Sequence, residues 1–270
     1  MLKNKPIPLF LFVTFSITWG MWIPALLTKL NGGTSLLGPD TPTGQFARWA
    51  PGITAILVTW FAVGKTGIGP LIKPIKIWRV NLGWYLFALF FQPALFFVTR
   101  TVDRWLGNTY DVVSPLSKVD APIAFVIPVV ILTALPGAFM EELGWRGFIL
   151  PRLQSKYSAL MASVLLGLIW GVWHIPSIIY LEETNISHIA LAVVNTIPIT
   201  VLYTWLFNNT QQSLFLVSLF HASQQYSNNF LGTIPTFTSD ALVWSFAIVI
   251  TILEGTKYLS RRKLQYIGVK

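Results

Sequence analysis

Phe139-Met140-Glu141-Glu142-Leu143-Gly144-Trp145-Arg146 sets two adjacent carboxylates and an arginine inside a run that is otherwise apolar, from Ile123 to about Leu153. That run exceeds the roughly 20 apolar residues a helix needs to cross a bilayer. Ionised groups within such a segment are costly and mark function by default. Glu142 and Arg146 stand four apart, so on a helix they share a face and are expected to pair. Glu141 lies about 100° further round and is expected to face Trp145 and Phe148, an apolar wall that suits a general base. The plainer alternative is a charged helix end that snorkels to the membrane surface; two acids and a base this close favour an arranged site. Pro136-Gly137 is expected to break the run just before the glutamates.

Composition places this stretch in a membrane. Of the 270 residues, 54% are hydrophobic and only 11% charged, with a mean hydropathy of +0.62; soluble domains carry about 25% charged residues. The fold expected is all-α, a polytopic membrane helical bundle of about eight transmembrane helices forming one integral-membrane domain over residues 1–270. The absence of cysteine excludes disulfides, thiol catalysis and Cys-ligated metal. A net charge of +9 fits basic loops against anionic lipid. No nucleic-acid-binding module is present, so the partners expected are the bilayer and a membrane-associated peptide or protein substrate, not nucleic acid.

The apolar runs fall at Pro8 to about Leu27, Arg48-Trp49 to Val63, Trp84 to Val98, Ile123 to about Leu153, Ser158 to Leu181, His188 to Phe207, Leu214 to Leu231 and Ala241 to Tyr258. The first is too long for a signal-peptide core and is read as a retained span. Between the runs lie a Gly/Pro/Thr-rich loop (Asn31 to Gly44), a basic loop broken by Pro70 and Pro74, and a mixed polar loop from Arg100 to Pro122. With the N-terminus inside, alternate connections hold 14 Lys and Arg inside against 5 outside, Arg48 being counted among the latter. The positive-inside rule therefore predicts a multi-pass cell-membrane protein with both termini in the cytoplasm.

Two of the three histidines lie inside spans, His174 in Trp170-Gly171-Val172-Trp173-His174 and His221 in Leu219-Phe220-His221-Ala222. Either alone would pass for a hydrogen-bonded packing residue. Glu141 and His174 stand at similar sequence distances either side of the turn near Lys156-Tyr157, so a hairpin brings them level. His221 follows the Asn208–Thr210 turn on the same side, and the three are expected to converge in a cavity reached from the cytoplasm. His188, beside Glu182 and Glu183, is expected at the interface. No His-Glu-x-x-His, Gly-x-Ser-x-Gly, Gly-x-Gly-Asp or phosphate-loop motif occurs. A carboxylate, two histidines, an arginine and side-chain amides suit water attack on a carbonyl; two histidines with a glutamate could instead ligate zinc.

Glu141-Glu142-x-x-x-Arg146, Trp170-x-x-x-His174 and His221-x-x-x-Gln225 resemble the three motifs of the CPBP family of intramembrane proteases, the CAAX-protease and bacteriocin-processing group also called Abi. The resemblance spans about Ile123 to Leu231, with Trp170 where the family has Phe and Gln225 where it has Asn. It implies a cytoplasm-facing, eight-helix protease whose core is 123–231. Glu141 would activate water, His174 position it, His221 with Gln225 stabilise the oxyanion, and Arg146 hold Glu142. The expected function is an endopeptidase acting on membrane-associated or lipidated peptides. No cofactor is expected to be required; a metal, if bound, would be zinc on Glu141, His174 and His221. The rival readings are a non-catalytic bacteriocin-immunity or scaffold protein and a transporter with midplane charges.

Overall fold

The computed structural model describes residues 6–109, 134–182, 185–232 and 237–261, and among these it is all helix and turn. The long helices are α1 (Pro6–Leu30), α2 (Ala50–Val63), α3 (Lys65–Ile72), α4 (Leu82–Trp105), α5 (134–154), α6 (Ala159–Glu182), α7 (Ile186–Asn209), α8 (Leu214–Leu231) and α9 (Phe237–Glu254). Short helical turns over Pro42–Gln45 and Phe46–Trp49 lead straight into α2. Side-chain caps set several starts: Thr41 accepts from the Gly44 N–H, Asn81 from Gly83, Asn185 from His188 and Ser213 from Leu216. Each satisfies a backbone donor that the first helical turn leaves unpaired.

Among the described residues, six helical segments are long and apolar enough to cross a membrane: Pro6–Leu30, Pro42–Val63, Leu82–Trp105, Ala159–Glu182, Ile186–Asn209 and Phe237–Glu254. The expected seventh, Leu214–Leu231, forms as a helix, but the run of Ser, Gln and Asn after His221 keeps it below that apolarity. The expected span Ile123 to Leu153 lies partly outside the described residues. Two local expectations are corrected. The chain is continuously helical from 134 through Pro136-Gly137, and the irregularity comes after the glutamates, where Leu143–Ile149 is π-helical. The basic stretch from Lys65 is helix, as α3, with Pro70 inside it.

The core surrounds α5. Phe10 of α1, Trp145 and Phe148 of α5 and Trp173 of α6 are fully buried and meet ring to ring, with Phe10–Trp145 at 5.6 Å and Trp145–Trp173 at 5.7 Å. α6 lies along α7, α4 along α8, and α9 against α7. Gly167 and Gly171, one turn apart on α6, admit the α7 backbone: a Cβ on Gly167 would stand 2.8 Å from the Ile197 Cα. Small residues at this spacing let membrane helices approach closely.

The bundle has two distinct ends. At the near end α1 begins, α2 and α5 finish, and Pro6 lies beside Val63 and Arg152. The same end ties α6 to the chain after α9, through Ala159 N–H to the Lys257 carbonyl (2.9 Å), and α8 to the segment before α4, through Ser213 to Ile77. At the far end Lys29 donates to the Tyr180 carbonyl, His188 meets Glu182 at 2.8 Å on exposed surface, and Thr238 bonds Asp103. His188 stands in the first turn of α7, with its side chain exposed.

Candidate active site

Glu141 and Glu142 end the regular part of α5, and both are completely buried. Glu142 Oε1 accepts from Arg146 Nη1 at 2.8 Å, the pair expected from the four-residue spacing, and also lies 2.8 Å from His221 Nδ1. A carboxylate only accepts, so Nδ1 of His221 carries the proton and its Nε2 the lone pair. Arg146 is itself fully buried, with its guanidinium carbon 3.9 Å from the Tyr203 ring centre and 4.8 Å from that of Trp170. A desolvated guanidinium on aromatic faces gains about 2 kcal/mol, which offsets part of its burial.

Glu141 does not meet an apolar wall. Its Oε1 accepts from Arg48 Nε at 2.7 Å and its Oε2 from Trp170 Nε1 at 3.3 Å. Trp145, expected beside it, packs against Phe10 and Trp173 instead. Arg48 Nη2 stands 3.4 Å from His221 Nε2, and that nitrogen is 4.0 Å from Glu141 Oε1. With its amide oxygen turned to the guanidinium, Gln225 accepts from Arg48 Nη1 at 3.1 Å and Nη2 at 2.5 Å. His174 Nδ1 lies 2.8 Å from the Trp170 carbonyl, which can only accept, so His174 presents a free Nε2 lone pair. Trp170 ties the group together, its ring 5.2 Å from that of His174 and 5.9 Å from that of His221.

Glu141, Glu142, Arg146, His221 and Gln225 are thus joined through ion pairs and hydrogen bonds, with His174 one helical turn along α6 at the partly exposed rim. Arg48 is the member that sequence reasoning missed, having been counted as a loop charge. Two glycines seat it. A Cβ on Gly144 would stand 2.5 Å from Pro51 Cβ, and one on Gly52 2.6 Å from the Met140 carbonyl oxygen, so only glycine lets the start of α2 lie against the glutamates. The available signal was charge balance: two buried carboxylates and Arg146 leave one acid without a cation.

Glu142, Arg146, Tyr203 and Phe220 close the near-end side of the cluster and are fully buried. Arg48, whose side chain is 21% exposed, and the partly exposed Gln225 and His174 lie on the other side. His174 is 8 residues from the far-end tip of α6 and 15 from its start, about 12 Å against 22 Å at 1.5 Å per residue. His174 therefore lies nearer the far end of α6 than the near end.

Zinc here would need Glu141, His174 and His221 as ligands. Both oxygens of Glu141 are engaged by Arg48 and Trp170, and a guanidinium stands between Glu141 and His221. Among the described residues, no three His, Cys, Asp or Glu side chains are grouped to hold a metal ion. The residues as arranged do not fit a metal.

Helical spans around buried, paired charges define an integral-membrane protein of polytopic all-α architecture. Within it, residues 123–227, under half of the chain, match the family model described as type II CAAX prenyl endopeptidase Rce1-like. A curated relative from Methanococcus maripaludis, CAAX prenyl protease 2, is 35% identical over 102 residues, which are 35% of this chain and 37% of the relative. The chain thus matches little more than a third of that relative's length. The resemblance carried by the three motifs is borne out, and the matched stretch contains every one of their residues but not Arg48.

Proposed function

We propose that this protein is an intramembrane endopeptidase that hydrolyses peptide bonds of membrane-associated or lipidated peptides with water activated by Glu141. The observation that carries this is a fully buried carboxylate held between Arg48 and Trp170 at the base of a partly exposed rim bearing His174 and Gln225. Glu141 takes a proton from water as the water oxygen attacks the scissile carbonyl carbon. His174, whose Nε2 lone pair is left over by the Nδ1 bond to the Trp170 carbonyl, orients that water. The tetrahedral oxyanion forms against Arg48, with His221 and Gln225 beside it. Glu141 then returns the proton to the leaving amine as the C–N bond breaks. Glu142 fixes His221 and Arg146. The chemistry belongs to the 123–231 core of a single membrane domain, with Arg48 contributed from outside that core, and the chain ends lie on the cytoplasmic side of the cell membrane.

A peptidomic comparison of cells carrying wild type and Glu141→Ala tests this reading. Peptides lost in the variant identify substrates; identical peptidomes with an intact phenotype would indicate a non-catalytic scaffold.

Arg48 carries the clearest added expectation. Losing one preorganised oxyanion donor costs about 10²–10³ in kcat, so Arg48→Ala should lose at least that much. It also leaves the buried Glu141 carboxylate without its cation and lowers stability, so kcat is read at a temperature where the variant stays folded. Arg48→Lys should recover little, because a point charge cannot reproduce the forked contacts to Glu141 and Gln225. Wild-type rates in purified Arg48→Ala would remove it from the mechanism.

The same arrangement leads us to propose metal independence. Incubation with a strong chelator should leave purified activity unchanged. Complete loss restored by zinc alone would reverse this.

A further inference from the structure

We propose that the cavity among the near ends of α1, α2 and α5 binds the phosphate of an anionic phospholipid, with Arg152 and Thr59 as its donors and the acyl chains lying along α2. This site stands apart from the glutamate cluster and does not depend on the protease reading.

The cavity holds about 310 Å³, at the low end of small-ligand sites, which span about 300–1,000 Å³. Its walls are apolar, made by Pro6 of α1, Val58 and Val63 of α2 and Phe148 of α5, and the polar side chains lining it are Arg152 and Thr59. Arg152 Nη1 donates to the Phe148 carbonyl at 2.8 Å, and its guanidinium carbon lies 3.8 Å from the centre of the Phe148 ring. A long cation at a helix end usually extends to water. This one folds back a turn over an aromatic face, and among the described residues it meets no carboxylate. Four of its five N–H donors have no protein acceptor there. Thr59 is only 5% exposed, and its hydroxyl has no hydrogen-bond partner. An unpaired guanidinium and an unmet hydroxyl in one apolar cavity call for an anion.

Position and surroundings select a phospholipid. The planar fork of a guanidinium matches phosphate oxygens. The cavity sits where α1 begins and α2 and α5 finish, the level of the headgroups for helices that cross a bilayer. Val63 is half exposed and joins the cavity to an outward apolar stripe on α2, formed by Ile53, Leu57, Trp60 and Phe61. Acyl chains can lie along that stripe. Lys65 and Lys156, both exposed and close by in sequence, add positive potential that favours a lipid of net negative charge over a zwitterionic one. A phosphate held by Thr59 and Arg152 would bridge α2 to α5. Phe148, beneath that arginine, stacks on Phe10 of α1 at 5.0 Å, so the bound lipid would tie three helices together.

The full chain, purified in a non-ionic detergent, can be titrated with phosphatidylglycerol, with phosphatidylcholine or with inorganic phosphate. Native mass spectrometry reads retained lipid, and a thermal scan reads the unfolding midpoint. Phosphatidylglycerol should be retained and should raise the midpoint by about 5 °C, the shift expected of a ligand at roughly a hundred times its dissociation constant. Phosphatidylcholine and inorganic phosphate should leave the midpoint unchanged. Arg152→Gln should weaken phosphatidylglycerol binding by about 10²-fold, as truncating one side of a desolvated charge pair does. Thr59→Val should weaken it by about 10-fold, the cost of a hydrogen bond to a charged group. Lys156→Gln, an exposed cation of the same end, should bind as wild type does. Unchanged binding in either Arg152→Gln or Thr59→Val overturns the proposal, and Thr59→Val decides it alone if Arg152→Gln fails to accumulate. Equal shifts from the two lipids overturn the selection for an anionic one. Protection by inorganic phosphate makes this a free-anion site and overturns the lipid. A loss in Lys156→Gln as large as that in Arg152→Gln reduces the effect to diffuse surface attraction and overturns the site.

Discussion

Glu141→Gln is expected to lower peptide cleavage by about 10³-fold, within the range general-base catalysis contributes, while the protein remains inserted and folded. The glutamine amide fills the same space but cannot take a proton from water, and with its oxygen accepting from Trp170 Nε1 its NH2 group faces the Arg48 Nε–H, donor against donor. Arg48 relieves that contact by turning toward Gln225 and the solvent it reaches at the rim, which limits the cost to stability. Turnover of a quenched-fluorescent peptide by detergent-purified protein, with thermal unfolding measured in parallel, reads both effects. A Glu141→Gln enzyme with its rate intact would move the base elsewhere.

Glu142→Gln and Arg146→Met are expected to act on stability first. Breaking a buried ion pair from one side leaves an uncompensated charge and costs about 3–5 kcal/mol. Here both side chains have no exposure and meet at 2.8 Å. The Arg146→Met, Glu142→Gln double variant should be less destabilised than the two single costs summed, because neither partner is then left charged in an apolar core. The two glutamates are less separable than their spacing implies. Glu142 Oε1 also holds His221 Nδ1, so Glu142→Gln should loosen His221 and lose activity beyond what its stability loss explains. Arg146→Met leaves that contact intact and should lose less. Unfolding midpoints beside kcat at a temperature where each variant stays folded distinguish these outcomes. Equal activity loss in both variants would show that Glu142 does not act through His221.

The sequence by itself determined that the chain is an all-helical membrane protein, where most of its spans lie, and that Glu142 pairs with Arg146. Apolar length, helical spacing and motif spacing are properties of neighbours along the chain, and they survive whatever the helices do to one another. The motif residues Glu141, His174, His221 and Gln225 were legible for the same reason. Tertiary structure alone decided what each of them touches. Arg48 is 93 residues from Glu141 along the chain, and it reaches the carboxylate only because Gly52 and Gly144 let α2 lie against α5. The π-helical turn at Leu143–Ile149 and the bond from His221 to Glu142 likewise follow from lateral packing. Which face of one helix meets which face of another leaves no periodic trace in a single sequence, so those features could be found only with the helices assembled.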